Sequence, residues 1–205
     1  MSTTIKTLFL DMGGVILTNG WGQASRRQAA EKFSLDFNEM NERHKLAFDA
    51  YEAGKMTLHE YLQMTVFYTP RPFTPEVFTE FMYQQSQPLP DMLQFVQQLK
   101  AKYGLKVIAL NNEGRELNDY RIRTFGLDRF IDAFVSSAFV QLRKPDIAIY
   151  KLALDIAYTK PAEALYFDDR LLFIEAARSL GINGVHHTSV ENTRQELLQY
   201  GMNVQ

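Results

Sequence analysis

Short apolar runs recur along the chain, each stopped by a polar step, and alternate with stretches of helical period. Leu8-Phe9-Leu10 runs into Asp11, Val107 to Leu110 into Asn111-Asn112, and Ala164 to Phe167 into Asp168-Asp169. Ala133-Phe134-Val135 and the weaker Gly184-Val185 complete the set. Unbroken apolar runs this short predict strands buried on both faces. Met92, Phe95, Val96 and Leu99 share one helical face before Gly104, and Ile149, Leu152, Ala153 and Ile156 follow Pro145 in register. Helices are also predicted over 117–125, over 174–180 before Gly181, and over 191–200. Strands separated by helices of that length form βαβ units, which predicts an α/β fold with a parallel sheet flanked by helices.

Residues 21–86 interrupt the alternation. Ala24, Ala29 and Phe33 fit one helix, and Ala47, Phe48 and Tyr51 the end of a second. Thr57 with Glu60 three residues on reads as a capping box for a third. Pro70 and Pro72 break the run, and Thr74-Pro75-Glu76 starts a fourth with proline at the first helical position. The block is rich in Met and aromatic residues, the composition of a small helical-bundle core. Set directly after the first strand, it is placed to serve as a lid. The expected organisation is a core of residues 1–16 and 88–205 with an all-helical insertion at 17–87.

At 205 residues, one core with an insertion fits the length. The net charge of −2 offers no field that would recruit nucleic acid or an anionic membrane. The absence of cysteine excludes disulfides, thiolate metal sites and cysteine nucleophiles. With no signal-like start and no apolar run of spanning length, the expectation is a soluble cytoplasmic protein.

The chemistry gathers at strand ends. A parallel sheet brings the carboxyl ends of its strands to one edge, so Asp11, Asn111-Asn112 and Asp168-Asp169 are expected to share a crevice. Gly13-Gly14 after Asp11 leave the backbone open to an anion. Lys144-Pro145 opens a helix near the same edge. Each piece alone reads equally as a turn or a helix start; together they suit a phosphoryl group and a hard cation.

In this order the motifs resemble those of the haloacid dehalogenase-like (HAD) hydrolases. Asp11-Met12-Gly13-Gly14-Val15 stands for the first motif and Leu110-Asn111-Asn112 for the second. Arg143-Lys144-Pro145-Asp146 and Tyr166-Phe167-Asp168-Asp169 stand for the third and fourth. The resemblance spans essentially the whole chain and implies a Rossmann-like core with a helical C1 cap. It implies a phosphatase of a small phosphorylated metabolite, in which Asp11 attacks phosphorus and water then hydrolyses the aspartyl-phosphate. It further implies Mg²⁺ held by Asp11, the Gly13 carbonyl, Asp168 and Asp169. Lys144 would neutralise the phosphate oxygens and Asn111 would donate to one. Backbone N–H groups of Met12, Gly13 and Asn112 would complete the cradle. Trp21, just after the first motif at the entrance to the insertion, reads either as a substrate contact or as packing within the insertion.

Two departures bear on activity. Gly13 replaces the family's second acid, which protonates the leaving oxygen, so any turnover is expected to favour good leaving groups such as sugar 1-phosphates or acyl phosphates. Asn111 replaces a Ser or Thr. The alternatives are a metal-free haloacid dehalogenase, which the Asp168-Asp169 pair argues against, and a protein that binds phosphorylated ligands or a partner without turnover. His186-His187 read as a surface pair, His44 and His59 as solvated helix residues. Phe173 has no expected catalytic role, and Arg170 either assists the acids or faces water.

Overall fold

The computed structural model describes residues 4–203; residues 1–3 and 204–205 of the expected core lie outside them. The strand β1 (Thr7–Leu10) leads into four helices, α1 (Gln23–Lys32), α2 (Phe37–Glu52), α3 (Leu58–Thr65) and α4 (Pro75–Gln84). Then come α5 (Pro90–Tyr103), β2 (Lys106–Asn111), α6 (Arg115–Thr124), β3 (Ala133–Ser136) and α7 (Ser137–Val140). The chain closes with α8 (Ile147–Ala157), β4 (Ala164–Asp168), α9 (Leu171–Ser179), β5 (Asn183–His186) and α10 (Val190–Leu197). The sheet runs β3-β2-β1-β4-β5 and every pairing is parallel.

The unbroken apolar runs have a direct cause, because successive strand side chains go to opposite faces and both faces are covered. Leu8, Leu10, Val107 and Phe167 pack beneath Phe95 and Leu99 of α5 and Leu197 of α10. Phe9, Ile108, Leu110 and Tyr166 meet Ile149 and Ala153 of α8 and Ile174 of α9. The last helix is shorter than its periodicity suggested: α10 ends at Leu197 and a 3₁₀ turn covers Leu198–Tyr200. The four-residue α7 is too short to leave a periodic signal.

Helices α1–α4 have their own core of Tyr51, Tyr61, Phe78 and Met82. The caps expected for α3 and α4 form. Glu60 N–H donates to Thr57 Oγ1 at 3.2 Å while Glu60 Oε2 accepts from Thr57 N–H at 2.8 Å, and Thr74 caps α4. The two segments joining this insertion to the sheet run side by side, with Thr18 N–H donating to the Gln87 carbonyl and Leu89 N–H to that of Ile16. Arg121 of α6 holds both, donating to Ser86 Oγ at 2.9 Å and reaching the Thr18 carbonyl at 3.5 Å. Across the far side, Ser137 Oγ donates to the Glu52 carbonyl and Arg143 pairs with Glu52 and Asp49. The helical unit is thus seated over the carboxyl edge of the sheet. No helix among the described residues is long and apolar enough to cross a membrane.

Candidate active site

From β1 the chain builds β2 and β3 to one side, then returns to place β4 on the other. A crevice lies beyond the strand ends at such a reversal. Leu10 pairs with Phe167 and Asp11 N–H donates to the Phe167 carbonyl at 2.9 Å, so the register brings Asp11 beside Asp168. Lys144 reaches the same point from the loop before α8. Its Nζ lies 2.9 Å from Asp11 Oδ1, 2.6 Å from Asp168 Oδ2 and 2.9 Å from the Tyr166 hydroxyl. An ammonium has three N–H donors, and here each has an acceptor.

Asn112 holds that lysine by its backbone. The amide accepts from Lys144 N–H at 2.9 Å and donates to the Lys144 carbonyl at 2.9 Å. Asn111 takes a different course from the one expected. Its amide donates to Asn118 Oδ1 at 3.0 Å and accepts from Ser136 Oγ at 2.7 Å, and Asn118 closes the ring by donating to Ser136. All three are buried. The amide is longer than a serine or threonine hydroxyl and finds its partners inside the core, so at this strand end it is Asn112 that lines the cavity.

Asp168 is also committed within the protein: Oδ2 accepts from Lys144 and from the Tyr166 hydroxyl, and Oδ1 accepts from Arg170 N–H at 2.8 Å. Asp169 is half-buried and lines the cavity. Gly14 makes room for it: its φ is +78°, and a Cβ there would overlap the Asp169 carboxylate. Oxygens of Asp11, Asp168 and Asp169 lie within 4.8 Å of one another. Three carboxylates face one ammonium, an all-oxygen donor set that suits a hard divalent cation.

The electrostatics carry this imbalance. Burial pushes the Asp11 carboxyl up to about 7; Lys144 pulls it down and Asp168 pushes it further up. Asp169 is raised by burial and by Asp168. Burial alone would lower Lys144, but Asp11 and Asp168 outweigh it and hold the ammonium protonated above the usual lysine range.

Asp11, Gly13, Asn112, Lys144 and Asp169 line a cavity of about 390 Å³. Its opposite wall is built by the insertion, from Trp21, Gln23, Arg26, His44 and Phe48. Of the other expected residues, Asp168 is buried beneath this floor, while the Met12 side chain lies in the core under the sheet. The Gly14 N–H is taken by the Leu17 carbonyl at 2.7 Å and is not open to an anion. A Cβ at Gly13 would lie 3.3 Å from Asn19 Oδ1 and 3.8 Å from Arg121 Nη1. The first is a tight contact and the second an ordinary one.

The histidines correct two expectations. His187 is buried and bonded to Thr193 Oγ1 at 2.7 Å, so it is not a surface residue. His44 is buried on the cavity wall, 2.7 Å from the Tyr61 hydroxyl, which also accepts from Trp21 Nε1 at 2.8 Å. An indole N–H can only donate, which leaves the tyrosine proton free for His44 Nδ1, an arrangement that suits a neutral ring protonated at Nε2. Burial, reinforced by Arg26, pushes its pKa down to about 3. The unfolded chain takes up this proton near pH 6.5 and the folded one does not, so stability is lost as pH falls from there toward 3. Solvent near the ring screens part of the effect. Unfolding titrations are expected to show the advantage of wild type over His44→Gln shrinking by about 2 kcal/mol between pH 6.5 and 4; parallel curves would refute this.

Residue types alone did not reveal Tyr166, the buried Glu113–Arg121 ion pair at 2.5 Å, or Arg26. Tyr166 left a usable signal: it stands two residues before Asp168 on a strand, hence on the same face. Arg26 depends on the insertion folding back over the sheet, and the ion pair on the loop after β2 turning onto α6; neither left one.

This fold and this arrangement of acids belong to a known class. The chain matches the haloacid dehalogenase-like hydrolase family over residues 5–181 and is a member of it. It is a hydrolase. It is 28% identical over 202 residues to the sesquiterpene phosphatase astK of Aspergillus oryzae, covering 97% of this chain and 98% of that protein. It is 30% identical over 128 residues to a phosphorylated carbohydrates phosphatase of Thermotoga maritima, covering 61% of this chain and 56% of that one. Its fold is shared by a HAD family enzyme of Bacteroides thetaiotaomicron in complex with magnesium and inorganic phosphate. That similarity has a TM-score of 0.74 at 20% identity, over 88% of this chain and 92% of that one.

Proposed function

We propose that this hydrolase is a Mg²⁺-dependent phosphatase of a small, polar phosphorylated metabolite, with Asp11 as nucleophile. The observation that carries the reading is the meeting of Asp11, Lys144, Asp168 and Asp169, from three distant parts of the chain, beneath one cavity. Relatives whose names specify phosphatases support it.

An Asp11 oxygen bonds to phosphorus as the bond to the leaving oxygen breaks; water then attacks the aspartyl-phosphate and releases phosphate and the free carboxylate. Lys144 stabilises charge on the transferring oxygens, Asn112 keeps Lys144 in place, and the N–H groups near Gly13 and Asn112 seat the phosphate. Mg²⁺ would be held by Asp11, Asp169 and the Gly13 carbonyl, with Asp168 behind them, and would supply positive charge to the phosphate. Gly13 brings no proton to the leaving oxygen, so esters of acidic alcohols and acyl phosphates suit the site best. Residues 17–87 act as the cap over a core of 1–16 and 88–205. The polar wall of Asn19, Gln23, Arg26 and His44 favours a hydrophilic, sugar-like leaving group over a terpenoid one.

Metal-stripped protein is expected to leave p-nitrophenyl phosphate and glucose 1-phosphate intact and to hydrolyse both once Mg²⁺ is added. Metal-independent release of chloride from 2-chloropropionate would instead identify a dehalogenase. Inertness toward the whole panel with Mg²⁺, matched by Asp11→Asn, would leave a binding protein.

A further inference from the structure

Arg26 is a buried cation with no counter-charge among the described residues. It sits in the first turns of α1, is 8% exposed and lines the cavity on the insertion side. Its Nη1 donates to the Trp21 carbonyl at 2.9 Å, and its Nε and Nη2 to Asn41 Oδ1 at 3.3 and 3.2 Å. Both partners are neutral, and no carboxylate among the described residues forms an ion pair with it. The other cavity arginine buried to this degree, Arg121, is paired with Glu113. A guanidinium has five N–H donors, so one remains on each terminal nitrogen. Burying an uncompensated charge is costly, and an anionic ligand would relieve that cost.

A second feature points the same way. The N-terminus of the ten-residue α1 opens onto the same cavity through Gly22 and Gln23. Gly22 provides no side-chain cap and the first turn carries no acid. Free N–H groups at a helix start favour an anion. The cavity acids nearby are largely answered, Glu52 by Arg143 and Glu113 by Arg121.

We propose that Arg26 and the start of α1 bind a second anionic group of the substrate, remote from the phosphoryl group at Asp11. The substrate class is then a phosphate monoester that also carries a carboxylate or a further phosphate. This rests on the phosphatase reading and adds the recognition that the cap wall imposes.

Three sugars that differ only at the far carbon test it with the 205-residue, Mg²⁺-supplemented protein: glucose 1-phosphate, glucuronic acid 1-phosphate and glucose 1,6-bisphosphate. Wild type is expected to prefer at least one charged member over glucose 1-phosphate by about tenfold or more in kcat/KM. Which of the two is preferred distinguishes a carboxylate from a phosphate subsite. Arg26→Met is expected to remove that preference and Arg26→Lys to restore part of it. Turnover of p-nitrophenyl phosphate without any preference among the sugars overturns the proposal while leaving the phosphatase reading intact. An equal fall for all three sugars in Arg26→Met also overturns it, because Arg26 then only braces Trp21 and α2. If nothing is turned over, calorimetry of the same sugars decides. Tighter binding of a charged member by wild type, lost in Arg26→Met, supports the subsite, and equal affinities refute it.

Discussion

Replacing Asp11 by asparagine is expected to lower kcat/KM on p-nitrophenyl phosphate by at least about 10⁴-fold, the scale seen when a covalent nucleophile is removed. An amide is nearly isosteric, and its oxygen can still accept the Lys144 proton, so the fold and the cavity persist. The loss falls on chemistry because a neutral amide does not attack phosphorus. Stopped-time quenching of wild type should trap a phosphorylated enzyme that Asp11→Asn does not form. Residual activity above about a hundredth of wild type would place the nucleophile elsewhere.

Lys144→Met is expected to damage stability and turnover together. Lys144 lies 2.6 to 2.9 Å from two buried carboxylates. Removing one partner from a buried ion pair costs about 3–5 kcal/mol, because the remaining charge is left in a poor solvent. Asp11 and Asp168 then face each other without an ammonium, and the Asp11 carboxyl, which Lys144 pulls down, rises further. A carboxyl raised in the folded state contributes stability below its unfolded pKa and loses it as pH rises through the folded value. The variant is therefore expected to be more stable at pH 5 than at pH 8, by a wider margin than wild type. Added Mg²⁺ should raise its melting temperature more than that of wild type, since a cation can replace part of the missing charge. Combining Lys144→Met with Asp168→Asn should return part of the stability and none of the activity. Urea titrations at several pH values would expose the opposite outcome, an unchanged pH profile.

These two side chains also mark how far the site could be read from residue order. Asp11, two residues before Gly13, and Asp169, beside a second acid, each close an apolar run, and Lys144 stands before Pro145; such local marks survive in one dimension. Asn111 carried the same mark and misled. Whether an amide at a strand end turns toward ligand or core depends on what lies behind it, and here Asn118 and Ser136 lie behind it. Gly13 is similar. The missing acid was visible, but that Asn19 and Arg121, 6 and 108 residues away, are its neighbours was not.

The helical insertion divides along the same line. Its caps are local: Thr57 and Glu60 are three residues apart, and proline follows Thr74, so these helix starts were legible. Its seating was not. His44 had the look of a solvated helix residue, yet it is buried against Tyr61 because α2 packs on α3 and both face the sheet edge.

Hydrophobic period, turn residues and motif order were enough to determine a parallel α/β sheet, a helical block after β1 and a set of acids at strand ends. Those features depend on neighbours within a few residues, whose geometry the backbone repeats impose. Tertiary structure alone decided which polar groups meet. It placed Lys144 between Asp11 and Asp168, turned Asn111 inward, and set Arg26 across the cavity with neutral partners. Such pairings join residues far apart in the chain, and only the packing of whole elements brings them within the few ångströms over which charges and hydrogen bonds act.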